Sequence, residues 1–472
     1  MRTGSARSPL FRSERPHSAA TSVRHLASLR GATVKRRTIL VDLGWARDKD
    51  PSVPLGHASL LAALRTAGAT DVVPLVFPVN AQCTKVRGIV EAVERASGGI
   101  AANWVDVCMG AYVWNERLLQ DVLALLRQRG FGGRIVLGGP QVSYSGRGID
   151  AVYPGADVFI RGFAEEALVS VTADAHGALP RGAHRSGEAD DQSRAVPDFE
   201  GLPSPLLAGI LPLVDDGRGV PLVRWETKRG CPYACAYCQH REPGARLRAA
   251  RFSFERLKSE IAVMKAARVR EIGVLDPVFN VGPDYLDVLA ELRRQQFGGM
   301  LAFQCRPELV APEFLDALRG LTVLLEFGLQ TIHEKESRAI NRSSRMDLVE
   351  NGLSRVMAAG LLCKVGLIYG LPAQTYESFR ASIAYCLERR VKVVRAFPLM
   401  LLRGTSLERD RERWGLVESE DPIPVVVASR SFDRAEWRRM DALAGALSRS
   451  EGHHPHSIDE LEVIAAGQSP AP

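Results

Sequence analysis

A strand–helix alternation that runs twice, with one interruption, constrains this chain more than any other feature. In residues 38–173, short apolar runs rich in β-branched residues fall at Thr38–Leu43, Val72–Val79, Trp104–Tyr112, Arg134–Leu137 and Asp157–Arg161. Between and after them lie segments with helical spacing: Leu55–Ala67, Lys85–Ala96, Glu116–Gln128 and Glu165–Val171. Short buried strands alternating with amphipathic helices predict a doubly wound, Rossmann-like parallel sheet, whose ligands bind at the carboxyl ends of the strands. Residues 174–220 break the pattern with Asp, Gly, Ser, Arg and Pro and read as a linker. The alternation then resumes, with strands expected at 222–228, 271–275, 300–305, 322–328, 363–369 and 393–399. Helices are expected at 253–268, 284–296, 312–319, 346–359 and 375–388. Six such units in residues 221–405 predict a partial (β/α)6 barrel, with its site at the carboxyl ends of the strands. Residues 406–472 form a C-terminal helical extension, and no internal repeat is evident. The fold class is therefore α/β, in two domains.

The net charge of +7 would point to nucleic acid if it were spread over the chain. It is not: residues 1–37 carry nine Lys and Arg against the single acid Glu14, and the rest is near neutral. That tail lacks apolar periodicity and is expected to be disordered and dispensable, so that a chain starting near Thr38 folds normally. No apolar run reaches membrane-spanning length, and the first stretch lacks the apolar centre of a secretory signal. Five of the eight cysteines, at 83, 108, 305, 363 and 386, are isolated in apolar contexts. The other three cluster, which in an unsecreted chain means metal or redox chemistry and a reducing, cytoplasmic compartment.

The cluster reads Cys231-Pro232-Tyr233-Ala234-Cys235-Ala236-Tyr237-Cys238 and sits on the loop after the first barrel strand. Iron–sulfur clusters normally take four thiolates. Three from one loop leave one iron open to a small ligand. The alternative is zinc, with His240 as a fourth ligand.

The triplet, its place after a barrel strand and Tyr237 before its last Cys resemble the radical S-adenosylmethionine superfamily over residues 221–405. That resemblance implies a 4Fe–4S cluster on Cys231, Cys235 and Cys238, with S-adenosylmethionine chelating the open iron. Gly366-Leu367-Ile368-Tyr369-Gly370 is similar to the family segment whose backbone lies against adenine, with Gly366, Ile368 and Gly370 as its contacts. Gln374 stands where the family often has Glu, and no role is assigned to it. Glu326 and Gln330, in Leu325-Glu326-Phe327-Gly328-Leu329-Gln330-Thr331, would hydrogen-bond the cofactor. Arg342, after Ile340-Asn341, would pair with the methionine carboxylate, or else be a solvated helix-end charge. Asp276 and Asn280 resemble the segment near the methionine amine, and Arg306 is a candidate for cofactor or substrate. Cys305 reads as core.

The first domain resembles the cobalamin-binding domain joined to many radical S-adenosylmethionine enzymes. Pro54-Leu55-Gly56, Gly138-Gly139-Pro140, Arg161-Gly162-Phe163-Ala164-Glu165-Glu166 and Pro203-Ser204-Pro205 carry the likeness, with Gly138 and Gly139 as cofactor contacts. The Asp-x-His-x-x-Gly element is absent; Asp174-Ala175-His176 is the nearest string, with Leu179 in place of its Gly. Cobalamin bound without a histidine ligand and a plain docking domain both remain open.

These likenesses imply a radical enzyme acting on a small molecule and drawing electrons from an external flavodoxin- or ferredoxin-type donor, without membrane or nucleic-acid partners. The first expectation is cobalamin-dependent C-methylation of a small secondary metabolite. The second is cobalamin-independent radical diol dehydration of an aminoglycoside-type sugar, for which Phe397–Thr405 and Ile423–Val427 are reminiscent strings. RNA modification is a remote third, because the body is not basic and lacks the three further cysteines of a second cluster.

Overall fold

The computed structural model describes residues 36–240, 250–282, 284–342 and 344–467. Most of the basic tail lies outside the described residues. Both expected layers are present. The first is a six-stranded sheet in the order β2-β1-β3-β4-β5-β6. Its strands are β1 Arg37–Gly44, β2 Val72–Pro78, β3 Val105–Gly110, β4 Arg134–Gly138, β5 Val158–Ile160 and β6 Ala183–Arg185. All neighbours are parallel except β6, which runs antiparallel to β5. β1 and β3 to β5 are buried on both faces under flanking helices, which explains their near-continuous apolar sequence.

The described residues begin at Arg36, two residues before the expected boundary at Thr38. Arg36 is buried and places its guanidinium on Asp106, which a second guanidinium, Arg134, reaches from β4. An Asp in the middle of an apolar strand needs such partners, because an unpaired buried carboxylate costs several kcal/mol. The stretch expected as a linker is also folded. Residues 183–185 extend the first sheet, Asp190 pairs with the buried Arg161, and Leu202, Leu206 and Leu211 join the core of the second domain.

The second sheet has the order β14-β13-β12-β11-β10-β7, all parallel. Its strands are β7 Val223–Trp225, β10 Glu271–Val274, β11 Met300–Cys305, β12 Thr322–Gln330, β13 Leu362–Tyr369 and β14 Val393–Pro398. Two short strands, β8 Lys228–Arg229 and β9 Ala250–Arg251, pair antiparallel beside it. Helices Phe254–Ala266, Asp284–Arg294, Pro312–Leu318, Met346–Ala358 and Tyr376–Glu388 cover its outer face. The helix Glu334–Ala339 was not expected from the sequence. Beyond β14, β15 Val417–Glu418 and β16 Val426–Ala428 form a hairpin, followed by helices Arg434–Arg449 and Ile458–Ala465. Among the described residues no helix is long and apolar enough to cross a membrane.

The burial of β12 and β13 alternates strictly, and it is the inward-facing set that remains accessible. Val323, Leu325, Phe327 and Leu329 are sealed under the helices, while Leu324, Glu326, Gly328 and Gln330 face the barrel axis and are partly open. The interior of a complete barrel is packed with branched side chains. Here the inward-facing residues of β12 and β13 stay partly exposed.

Candidate functional site

The Cys loop begins where β7 ends, and its base is pinned from three sides. The buried carboxylate of Asp276 accepts from the Thr227 amide at 2.8 Å, from the Thr227 hydroxyl and from the Lys228 amide at 3.2 Å. Lys228 sends its ammonium to the carbonyls of Phe279 and Val281, both at 2.9 Å. Gly230, at φ +91°, then turns the chain into Cys231 in a conformation that L side chains rarely adopt. The far side of the loop is held by the segment after β12. The Ala236 amide donates to Ile340 O at 2.8 Å, Asn341 Nδ2 to Ala234 O at 2.8 Å, and Arg342 Nη1 to Cys235 Sγ at 3.7 Å. Tyr237 also hydrogen-bonds Cys235.

Cys231, Cys235 and Cys238 are free and half-buried. Burial pushes the Cys231 thiol up, and burial pushes Cys238 up to about 11, so without metal neither gives a thiolate easily. Among the described residues no three His, Cys, Asp or Glu side chains converge as the ligands of a single ion would. A tetrahedral zinc site draws its sulfurs to about 2.3 Å from one centre. A cubane takes each thiolate on a different iron, and the three thiols of this loop lie near enough to affect one another's ionisation. His240 is exposed.

The inner face of the barrel strands adjoins this loop, since Arg342 reaches from Cys235 to the Gly328 carbonyl. Gln304, Glu326 and Lys364 are in register on neighbouring strands, and Lys364 Nζ lies 2.9 Å from Glu326 Oε1. Above them Gly328 and Gly366 pair, with Ile368 and Phe397 beyond; Phe397 is 49% exposed on the inner face of β14. A Cβ at Gly366 would stand 3.9 Å from the Phe397 ring, and the Ile368 side chain is partly exposed on the same face. Gln330 holds φ +72° at a register shift between β12 and β13. That costs about 1–2 kcal/mol for a residue with a Cβ, and such strain clusters at ligand sites.

The other expected contacts are placed differently. Asp276 has both oxygens engaged by Thr227 and Lys228 and positions the base of the Cys loop. The Asn280 amide is spent on both backbone groups of Arg306. Arg306, 3% exposed, bonds Glu308 and stacks 3.9 Å from the Tyr233 ring centre, under the Cys loop. Arg342 is buried, not a solvated charge, and joins Cys235 to the Gly328 carbonyl. Gly370 is buried, and the Val426 carbonyl lies 3.1 Å from where its Cβ would stand. Gln374, given no role from sequence, is fully buried. Its oxygen accepts from the Gly370 and Leu371 amides, and its nitrogen reaches Ile368 O and Glu336.

In the first domain, β1, β3 and β4 each end in glycine: Gly44, Gly110 and Gly138. Gly139, at φ +90°, packs against Ala111, whose carbonyl lies 2.7 Å from where its Cβ would stand. Together these strand ends form a glycine ledge, with the Tyr112 and Trp114 rings stacked beside it. His176 lies at the opposite end of the sheet, where Arg134 at the start of β4 bonds the adjacent Ala175 carbonyl. It offers no metal ligand at the ledge. Sequence reasoning noted Gln304 as unusually polar for a strand end without giving it a role, and passed over Lys364. A lone Lys inside an apolar strand was the available signal for the latter.

Residues 225–386 match the model of the radical SAM superfamily. The chain is 26% identical over 405 residues to the cobalamin-dependent radical SAM methyltransferase TokK of Streptomyces tokunonensis, covering 76% of this chain and 56% of that one. It is 28% identical over 403 residues to the 2-(S-pantetheinyl)-carbapenam-3-carboxylate methyltransferase of Streptantibioticus cattleyicolor, covering 77% and 57%. It therefore spans little more than half the length of these relatives. The fold is like that of the radical S-adenosylmethionine methyltransferase TsrM from Kitasatospora setae, with TM-score 0.66 at 16% identity over 92% of this chain and 96% of that one. It is also like the cobalamin-dependent S-adenosylmethionine radical enzyme OxsB, with TM-score 0.66 at 14% identity over 88% and 67%. The Cys loop, the parallel barrel strands and the family match agree: residues 225–386 are a radical SAM domain, and the Rossmann-like domain ahead of it resembles a cobalamin-binding domain.

Proposed function

We propose that this protein is a radical S-adenosylmethionine enzyme that methylates carbon in a small secondary metabolite with the help of cobalamin. The observation that carries the reading is the placement of the two ligand faces. The segments that carry the glycine ledge and the Cys loop of the barrel meet across one interface, where Tyr144 reaches Gln239 and Glu165 reaches Arg229. When bound, the cluster and S-adenosylmethionine would supply a 5′-deoxyadenosyl radical, and cobalamin would supply the methyl group. Cys231, Cys235 and Cys238 would hold the cluster. Gly366 and Ile368 would lie along the nucleoside, and Glu326 and Gln330 would offer it hydrogen bonds. Gly138 and Gly139 would let the corrin approach the backbone, and the helices outside the barrel keep water from that side. Both relatives reported above are named as methyltransferases, and this supports the reading.

The strings that pointed toward dehydration have structural work of their own. Arg403 ties the barrel to Glu116 and the Gln141 carbonyl of the first domain, and Val426 packs on Gly370. Incubation with methyl-labelled S-adenosylmethionine and a candidate substrate decides between the two reactions. Labelled product with both S-adenosylhomocysteine and 5′-deoxyadenosine is expected. Turnover by cobalt-free enzyme that yields 5′-deoxyadenosine, no S-adenosylhomocysteine and a product lighter by water would overturn methylation.

A further inference from the structure

The Cys loop is held from the first domain at both of its ends. At its entry, two residues before Cys231, Arg229 places Nη1 2.6 Å from Glu165 Oε1 of the first domain, and Nε 2.9 Å from Glu226 Oε2. The two members of the interdomain pair are only 12% and 7% exposed. The guanidinium also stands 5.2, 5.8 and 5.6 Å from the ring centres of Phe163, Phe199 and Phe252. A buried guanidinium among aromatic faces, with two carboxylates, has one geometry available to it. At the exit, one residue after Cys238, the Tyr144 hydroxyl donates to the Gln239 carbonyl. Gln239 Nε2 in turn bonds Arg403 O at 2.7 Å, and Arg403 reaches back to the Gln141 carbonyl beside Tyr144.

An interface serving only to join two domains has no reason to place its contacts immediately outside the first and last cysteine. We propose that Glu165 and Tyr144 are positioning residues for the cluster: the first domain sets where the three thiols stand. The inference rests on the cluster reading of the Cys loop. Each residue acts through another. Glu165 acts through Arg229 on the turn at Gly230, and Tyr144 acts through the backbone that follows Cys238. The same elements carry the ledge, since Tyr144 follows the short helix Pro140–Ser143 that Gly139 opens, and Glu165 begins the helix after β5. Whatever binds the ledge therefore bears on the cluster, and the coupling runs equally in reverse.

The test uses the full chain, reconstituted without oxygen, as wild type and as Tyr144→Phe, Glu165→Gln and Arg117→Ala. Arg117 is the control, because its bond to the Glu420 carbonyl also crosses between the domains and lies outside this grip. Iron content, melting temperature, the electron paramagnetic resonance spectrum of the reduced cluster and the rate of 5′-deoxyadenosine formation are measured. Tyr144→Phe and Glu165→Gln are expected to keep their iron and melting temperature. Their resonance line shape should change, and S-adenosylmethionine cleavage should fall about tenfold, the usual effect of losing a residue behind a metal ligand. Arg117→Ala should match wild type. Wild-type spectra and rates in both variants would overturn the proposal, as would an equal loss in Arg117→Ala. If Glu165→Gln does not fold, Tyr144→Phe, which keeps its ring, decides alone. Wild-type protein without iron would instead overturn the cluster reading itself.

Discussion

Arg342 donates to the sulfur of Cys235 across 3.7 Å while its other amino group meets the Gly328 carbonyl on β12. One side chain thus connects the Cys loop to the inner face of the barrel. Hydrogen bonds to cluster sulfurs raise the reduction potential. Arg342→Gln should keep the iron, lower the potential of the cluster, and slow S-adenosylmethionine cleavage by about 10- to 100-fold. Redox titration checks it; an unchanged potential and rate would leave Arg342 a packing residue.

The three cysteines should behave as one unit. Cys231→Ala, Cys235→Ala and Cys238→Ala are each expected to abolish the 4Fe–4S absorbance and 5′-deoxyadenosine formation. Stoichiometric zinc without iron in the wild type would refute the cluster assignment.

Where the chain can be shortened depends on Arg36. A chain beginning at Arg36 should melt like the full one. A chain beginning at Thr38 leaves Asp106 with Arg134 alone and should lose about 3–5 kcal/mol, the usual effect of breaking a buried ion pair. Equal denaturant midpoints for the two would contradict this.

Asp42 gives the stability a pH dependence. Burial pushes its carboxyl up to about 6, and its Oδ2 has no hydrogen-bond partner. A carboxyl raised in the folded state contributes stability that is complete below its unfolded pKa and is lost as pH rises through 6. Unfolding measured without ligands should therefore show up to about 3 kcal/mol lost from this group between pH 4 and 7. Asp42→Asn should remove that part of the slope.

Gln374 cannot be exchanged for the Glu often found at its position in the family. Its nitrogen donates to the Ile368 carbonyl at 3.1 Å and sits 3.3 Å from Glu336 Oε2. Gln374→Glu replaces that donor with a second carboxylate, and a loss of about 1–3 kcal/mol is expected at pH 8. The loss should shrink toward pH 5, where the new carboxyl protonates; a pH-independent loss would point to packing instead.

The strands and helices of both domains were legible because each was long enough to show its period. Glu116–Gln128 and β11 fall where the spacing put them, and most others shift by one or two residues. The pieces that were missed are short or polar. β6 has three residues, and the helix Glu334–Ala339 is six residues carrying four charges. Arg36 was read as tail because its partner, Asp106, lies 70 residues away. At the site, the Cys triplet and the glycines of β12 and β13 were visible as motif spacing. The tasks of Asp276, Asn280 and Arg306 were not, because a motif names a position and leaves open whether its side chain turns to a ligand or to the neighbouring backbone. Gln374 shows the converse: a departure from a pattern gains its meaning from the acceptors around it.

The inward-facing row of Leu324, Glu326, Gly328 and Gln330 leaves the barrel lined where other barrels are filled. Part of the cohesion that branched side chains would provide is thus left to whatever occupies the axis. A ligand present at a hundred times its dissociation constant adds about 2.7 kcal/mol to the folded state. The melting curve of this protein should therefore serve as a gauge of its surroundings, rising stepwise as each molecule for which the axis has room is supplied.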